Sequence, residues 1–170
     1  MSLSTFDGPV RSLNGFYSQG NGTILTLGAT VTLSVATHAG HILLVPASCA
    51  ITLPTIVTTA DPVTSGPGSD PNTTSNIGVA FNLFFNVISA GATAQTVTCG
   101  GSDKFVGSLG VTSTVYNAFA SVTSTIITLN ATTTGGAARG SQITLVPLAA
   151  NLWSVNGVLV GSGTAATPFS

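Results

Sequence analysis

An all-β fold, a β-sandwich or jelly-roll-like single domain with an extended N-terminal arm, is predicted on three observations. About nine or ten short segments carry strand character, with turn residues roughly every 8–12 positions. No segment sustains a 3.6-residue apolar period, so no long helix is expected. Thr and Val alternate through much of the chain, and a branched Cβ fits a pleated surface. A chain of 170 residues buries most of its surface around one core without disulfides or metals.

The chain divides into an N-terminal arm (1–22), a β-sandwich body (23–160) containing a long loop (55–77), and a C-terminal tail (161–170). In the arm, Gly8-Pro9, Asn14-Gly15 and Gly20-Asn21-Gly22 break any long element, while its apolar side chains need cover. Two readings stand. The segment is either an arm docking on a neighbouring subunit or a strand folded onto its own core. In the first reading Phe6, Val10, Arg11, Leu13, Phe16 and Tyr17, with Phe169 of the tail, are the candidate protein-binding anchors.

From Thr23, Ile24, Leu25 and Leu27 lead into Val31, Leu33 and Val35, which alternate with Thr30, Thr32 and Ser34; period two marks a half-buried strand. The stretch 37–54, T-H-A-G-H-I-L-L-V-P-A-S-C-A-I-T-L-P, is the one around which the other strands are expected to be arranged. Runs 42–45 and 50–53 are each closed by a proline, which has no N–H to give a ladder. They are apolar on both faces, the pattern of strands covered on both sides. A weaker echo lies at 143–147 and 152–155. The 55–77 loop is rich in Pro and Gly and aperiodic; a loop of such length serves either contact with a neighbour or flexibility.

Residues 81–88 are the clearest strand: Phe81, Leu83, Phe85 and Val87 line one face, and Asn82, Phe84, Asn86 and Ile88 the other. Strands are then expected at 96–99, 104–106, 111–119 and 122–129, with one helical turn possible at 117–120. A Gly-rich loop spans 132–140. The last strands are 142–146, 152–155 and 158–160, the final two joined by an Asn156-Gly157 hairpin turn.

The composition is 44% hydrophobic and 4% charged, against about 25% charged in ordinary domains. Thr, Ser and Asn must therefore supply solubility. The seven charged residues, Asp7, Arg11, Asp61, Asp70, Asp103, Lys104 and Arg139, form no basic stripe, which excludes a nucleic-acid partner. So weak a charge invites association. No basic region followed by an apolar core and a small-residue cleavage site opens the chain, so no signal peptide is expected. The apolar segment 80–88, interrupted by Asn82 and Asn86, falls far short of the roughly 20 residues of a membrane span. Cys49 and Cys99 read as small buried hydrophobes or as a cross-strand disulfide.

Catalytic chemistry finds little material, since the chain has no Glu. His38 and His41 straddle Gly40 with no acidic or thiol partner near in sequence, which fits turn or strand-entry residues better than a metal site. No serine lies in a G-x-S-x-G setting, and the Asp61 to Asp70 spacing does not match an EF-hand. No G-K-[ST] follows Gly100-Gly101 or Gly135-Gly136. Trp153, Tyr116 and Tyr17 could stack on a sugar, although a Trp in a late core strand is commonly buried. The expectation is a non-enzymatic protein without metal or cofactor.

Taken in order, G-P-V-R-S-L-N-G-F-Y (8–17), H-A-G-H-I-L-L-V…A-I-T-L-P (38–54), F-N-L-F-F-N-V (81–87) and S-Q-I-T-L-V…N-L-W-S-V-N-G (141–157) resemble the small β-rich virion proteins of tailed bacteriophages, in particular capsid decoration (cement) proteins. The resemblance covers most of the body and leaves 55–77 without a counterpart. It implies a homotrimer, made in the host cytoplasm, that binds the major capsid protein on the outer capsid surface and reinforces the head through arms and loops. An alternative is a tail or fibre module binding host-surface carbohydrate, although a fibre would show tandem repeats or a heptad shaft and this chain shows neither. A small hydrolase is disfavoured by the shortage of acids and bases.

Overall fold

Short Thr- and Val-rich strands take turns between two sheets. The computed structural model describes residues 24–58, 76–91 and 95–170. Its elements are β1 (Ile24–Thr26), β2 (Thr30–Thr32), a one-turn helix α1 (Val35–His38), β3 (Ile42–Leu44), β4 (Cys49–Thr52), β5 (Phe81–Phe85), β6 (Gln95–Thr98), β7 (Lys104–Thr112), β8 (Tyr116–Ser121), β9 (Ile126–Leu129), β10 (Ser141–Ala149) and β11 (Leu152–Val160). The larger sheet has the order β1-β3-β5-β10-β11-β7-β8 and the smaller β2-β4-β6-β9. The all-β expectation holds.

The jelly-roll detail does not describe this strand order. A jelly roll is built from antiparallel Greek keys, whereas β1, β3 and β5 pair in parallel in one sheet and β2, β4 and β6 in parallel in the other. The first half of the chain therefore winds as coils that visit each sheet once per turn. Among the described strands, the antiparallel pairs are β7–β8, β10–β11, β10–β5 and β6–β9.

One apolar core fills the space between the sheets. Leu43, Phe81, Leu83, Phe85, Leu145, Trp153, Phe105 and Leu109 come from the larger sheet and Cys49, Ile51, Val97, Ile127 and Leu129 from the smaller. The outward face of the smaller sheet is largely threonine: Thr30, Ala50, Thr96 and Thr128 form one cross-strand row and Thr32, Thr52, Thr98 and Ile126 the next. Threonine pairs stabilise neighbouring strands and carry hydroxyls to water, which is how this face stays wettable without charge.

The prolines act as expected. Val45 still donates to Phe84 O and Leu53 to Thr98 O, one residue before Pro46 and Pro54, and the ladders then stop. The two-sided burial expected of 42–45 is not found: Leu43 and Val45 are fully buried but Ile42 is 47% exposed. Val35 leaves the strand pattern and opens α1. Its N-terminal Ser34 donates its N–H to His38 Nδ1 at 3.0 Å, so His38 closes a local turn. The expected strand 111–119 is divided by a turn at 113–115, and 117–120 is strand in β8 with no helical turn.

Asn156-Gly157 is not a hairpin turn. It lies inside β11, and the chain reverses instead at Ala150 and Asn151, where Asn151 has φ +60°. Gly157 is needed for a different reason, since a Cβ there would overlap the Gln142 carbonyl oxygen of β10. Gly157→Ala is therefore expected to destabilise by about 1–3 kcal/mol, the usual cost of overpacking. An unchanged urea midpoint would show that the strands can move apart without cost.

The tail 161–170 is part of the body. Thr125 and Ile126 donate to Ser170 O, Ser170 donates back to Ile126 O, and Thr128 donates to Pro168 O. These bonds lay the last residues along the open side of β9. Phe169, expected to anchor a partner, is 8% exposed and sits in the chain's own core opposite Ile127. An aromatic placed next to an unpaired edge closes that edge and gains burial in one step.

Candidate functional site

Period-two alternation in the larger sheet sends Leu43, Leu83, Ile143 and Val155 inward and the residues between them outward. Register then assembles two rows across that outer face. One runs Ile24, Ile42, Asn82, Thr144, Asn156, Ser108, and the other Thr26, Leu44, Phe84, Gln142, Val158, Gly110. Ile24 is 52% and Ile42 47% exposed. Leu44, Phe84 and Val158 are half-buried. No charged residue occurs in β1, β3, β5, β10 or β11.

Ile42, Asn82, Phe84, Gln142 and Thr144 line a shallow depression of about 250 Å³ floored by Leu83 and Ile143. Thr144 Oγ1 and Asn82 Oδ1 are 3.0 Å apart, which fixes the amide with its oxygen toward the hydroxyl. Such a surface can bind through apolar contact and amide hydrogen bonds. It holds no nucleophile and base in contact.

The candidate anchors Phe6, Val10, Arg11, Leu13, Phe16 and Tyr17 lie outside the described residues, as do Asp61, Asp70 and most of the 55–77 loop. The base of that loop is described, and it is clasped. Asn76 accepts the Val57 N–H at 2.9 Å and donates to Thr55 O at 3.0 Å, and the Ile56 N–H donates to Asp103 Oδ2 at 2.9 Å. Asp103 is 1% exposed and its Oδ2 also accepts the Trp153 indole N–H at 3.3 Å.

His38 and His41 do not converge on a ligand set, and among the described residues no group of three or more His, Cys, Asp or Glu could hold a metal. The cysteines are free. Cys49 lies opposite Gln95, while Cys99 follows Thr98, which lies opposite Thr52. That four-residue offset separates them by about 13 Å at ~3.3 Å per residue, well beyond the ~7 Å Cα limit for a disulfide. Burial pushes the Cys49 thiol up to about 11. Cys99 is pushed up to about 12, by burial first and by nearby Asp103 second, with Lys104 opposing. Both are core thiols, inert as nucleophiles at neutral pH.

The exposed rows were partly legible in the alternation of residues 81–88, which separates Asn82 and Phe84 from the buried Phe81, Leu83 and Phe85. Ile24 and Ile42 carried no such signal, because the residue that follows each, Leu25 or Leu43, is also apolar. Comparison of the chain with protein-family models, with curated proteins and with solved structures gives no match.

Proposed function

We propose that this protein is a non-enzymatic structural component of a tailed-phage virion, which binds the major capsid protein on the outer surface of the head and stabilises it. The trimer and the synthesis in the host cytoplasm implied by the sequence resemblance belong to the same proposal. The observation that carries the reading is the outer face of the larger sheet, where Ile24 and Ile42 stand exposed beside Leu44 and Phe84 on strands without charge. A partly apolar face whose strands β1, β3, β5, β10 and β11 carry no charge suits lasting contact with a protein surface.

Burying an apolar side chain of this size contributes about 1.5–3 kcal/mol, whereas an exposed ion pair contributes about 0–1 kcal/mol and is screened by salt. Attachment to purified heads is therefore expected to change little from low salt to near-molar NaCl. Ile42→Asp is expected to release the protein and Arg139→Ala to leave it bound. Cosedimentation with heads measures both. Steep release by salt, or full retention of Ile42→Asp, would sink the proposal.

A second reading, a module that binds host-surface carbohydrate, draws on the depression that places the Asn82 and Gln142 amides beside Phe84. Glycan-array binding abolished by Asn82→Ala, without attachment to heads, would decide for it.

A further inference from the structure

The three most exposed large apolar side chains among the described residues are Val122 at 71%, Val115 at 66% and Tyr116 at 60%. All three belong to β8 or its immediate flanks. This strand is the last of the larger sheet, and no charged residue occurs between Lys104 and Arg139. Edge strands are ordinarily protected by Lys, Pro, a bulge or a covering segment. β8 has no Lys or Pro and pairs with β7 without a register shift, whereas the edge at β9 is covered by residues 168–170. Among the described residues, the tail covers the β9 edge and no segment pairs with the outer side of the longer β8.

The direction of the open backbone groups is set by the neighbouring strand. Lys104 donates to Asn151 O and Thr112 O accepts from Gly161, both on the β11 side, while Phe105 donates to Ser124 O on the other. Backbone groups alternate sides along a strand, so the odd residues of β7 face β8. Gly107, Leu109 and Val111 lie opposite Ser121, Phe119 and Asn117. An opposed antiparallel pair exchanges either both hydrogen bonds or neither. Tyr116, Ala118 and Ala120 consequently point their N–H and C=O groups away from the sheet.

We propose that β8 is a self-association edge, on which the β8 of a second copy adds antiparallel about a two-fold axis to continue the sheet from one molecule into the next. The strand's own register supports a second copy as occupant. A dyad at Phe119 sets Ala118 opposite the partner's Ala120 and Tyr116 opposite the partner's Val122, with Phe119 facing its own mate. The outward residues then meet as hydrogen-bonding pairs, large exposed side chains cover one another, and the small alanines let the strands close. An uncharged edge meets its copy without repulsion, and an isologous contact satisfies both open edges at once. This contact does not rest on attachment to heads, and it is separate from the three-fold association that the resemblance implies.

Two variants test it in the full chain. Ala118→Pro removes an N–H that points outward, so it takes no bond from β7–β8, and proline is tolerated on an edge in that position. Ala120→Lys places a charge beside the dyad, the device natural edges use against pairing. Both variants should keep the wild-type circular dichroism spectrum. Sedimentation equilibrium at micromolar concentration should return an even multiple of 16.8 kDa for the wild type and half that mass for each folded variant. Equal masses for the wild type and a folded variant, or a monomeric wild type, would overturn the inference. Loss of head binding with the mass change intact would count against the capsid reading alone.

Discussion

Trp153→Ala is expected to destabilise the protein by about 3–5 kcal/mol, the range for truncating a large buried aromatic. That is a large part of the roughly 5–15 kcal/mol available to a domain. Trp153 has no exposed surface and stands at the centre of the larger sheet, in β11 between Pro147 of β10 and Phe105 of β7. Its ring meets Phe81 tilted by 53° at 5.9 Å between centroids. Truncation leaves a cavity that strands held on both sides cannot collapse into. It also removes a donor from Asp103 Oδ2, a carboxylate whose Oδ1 is buried without a partner among the described residues.

The two contributions separate experimentally. Trp153→Phe keeps most of the volume and drops the indole N–H, so its loss should stay near the ~0.5–3 kcal/mol spanned by neutral and charge-assisted hydrogen bonds. Asp103→Ala orphans two donors at once, the buried indole and the partly buried Ile56 N–H, and a buried unsatisfied group costs about 1–3 kcal/mol. Urea unfolding of the three variants gives the comparison. If Trp153→Ala lies within about 1 kcal/mol of wild type, the core does not depend on this residue as the packing requires.

How far the fold could be read from sequence depends on whether each signal was local. Alternation located β5, where Phe81, Leu83 and Phe85 are buried and Asn82 and Phe84 half-exposed, because period two is a property of the strand alone. Proline likewise marked the ends of β3 and β4 without help from tertiary structure. The parallel winding of β1, β3 and β5 left no local mark, since strand direction is decided by pairing partners far apart in the chain. Gly157 was misread for the same reason: Asn-Gly is a turn signal in isolation, and the backbone of Gln142 that forbids a side chain there is distant in sequence. Phe169 read as a free tail anchor because the open edge of β9, which it covers, exists only after folding. In the candidate site, apolar neighbours concealed the exposure of Ile42, since a strand with one dry face and a wet face of Ile and Leu looks the same as one buried on both sides.

The cysteines lead to an expected alkaline unfolding that no other described group explains as directly. Both thiols are buried, at 0% and 6% exposure, and Cys49 donates to Gly28 O at 3.0 Å, so the core receives them only in the protonated form. Their folded values, about 11 and about 12 against 9.0 unperturbed, lie above the unfolded ones. The protonated thiols therefore stabilise the fold fully below about pH 9, and that contribution is lost as pH rises toward 11 and 12. At about 1.4 kcal/mol per pH unit of displacement, the two together reach several kcal/mol, comparable with the total stability of a domain. Urea midpoints should hold from neutral pH to about 9 and then fall steeply. In a Cys49→Ala, Cys99→Ala variant the neutral-pH midpoint should drop modestly, through the lost packing and the lost bond to Gly28, while the alkaline fall flattens. Native wild type should also resist a thiol reagent at mildly alkaline pH and react fully once unfolded. A variant as alkali-sensitive as wild type would place the cause on other groups, and rapid labelling of the native protein would show that these thiols are not held in a closed core.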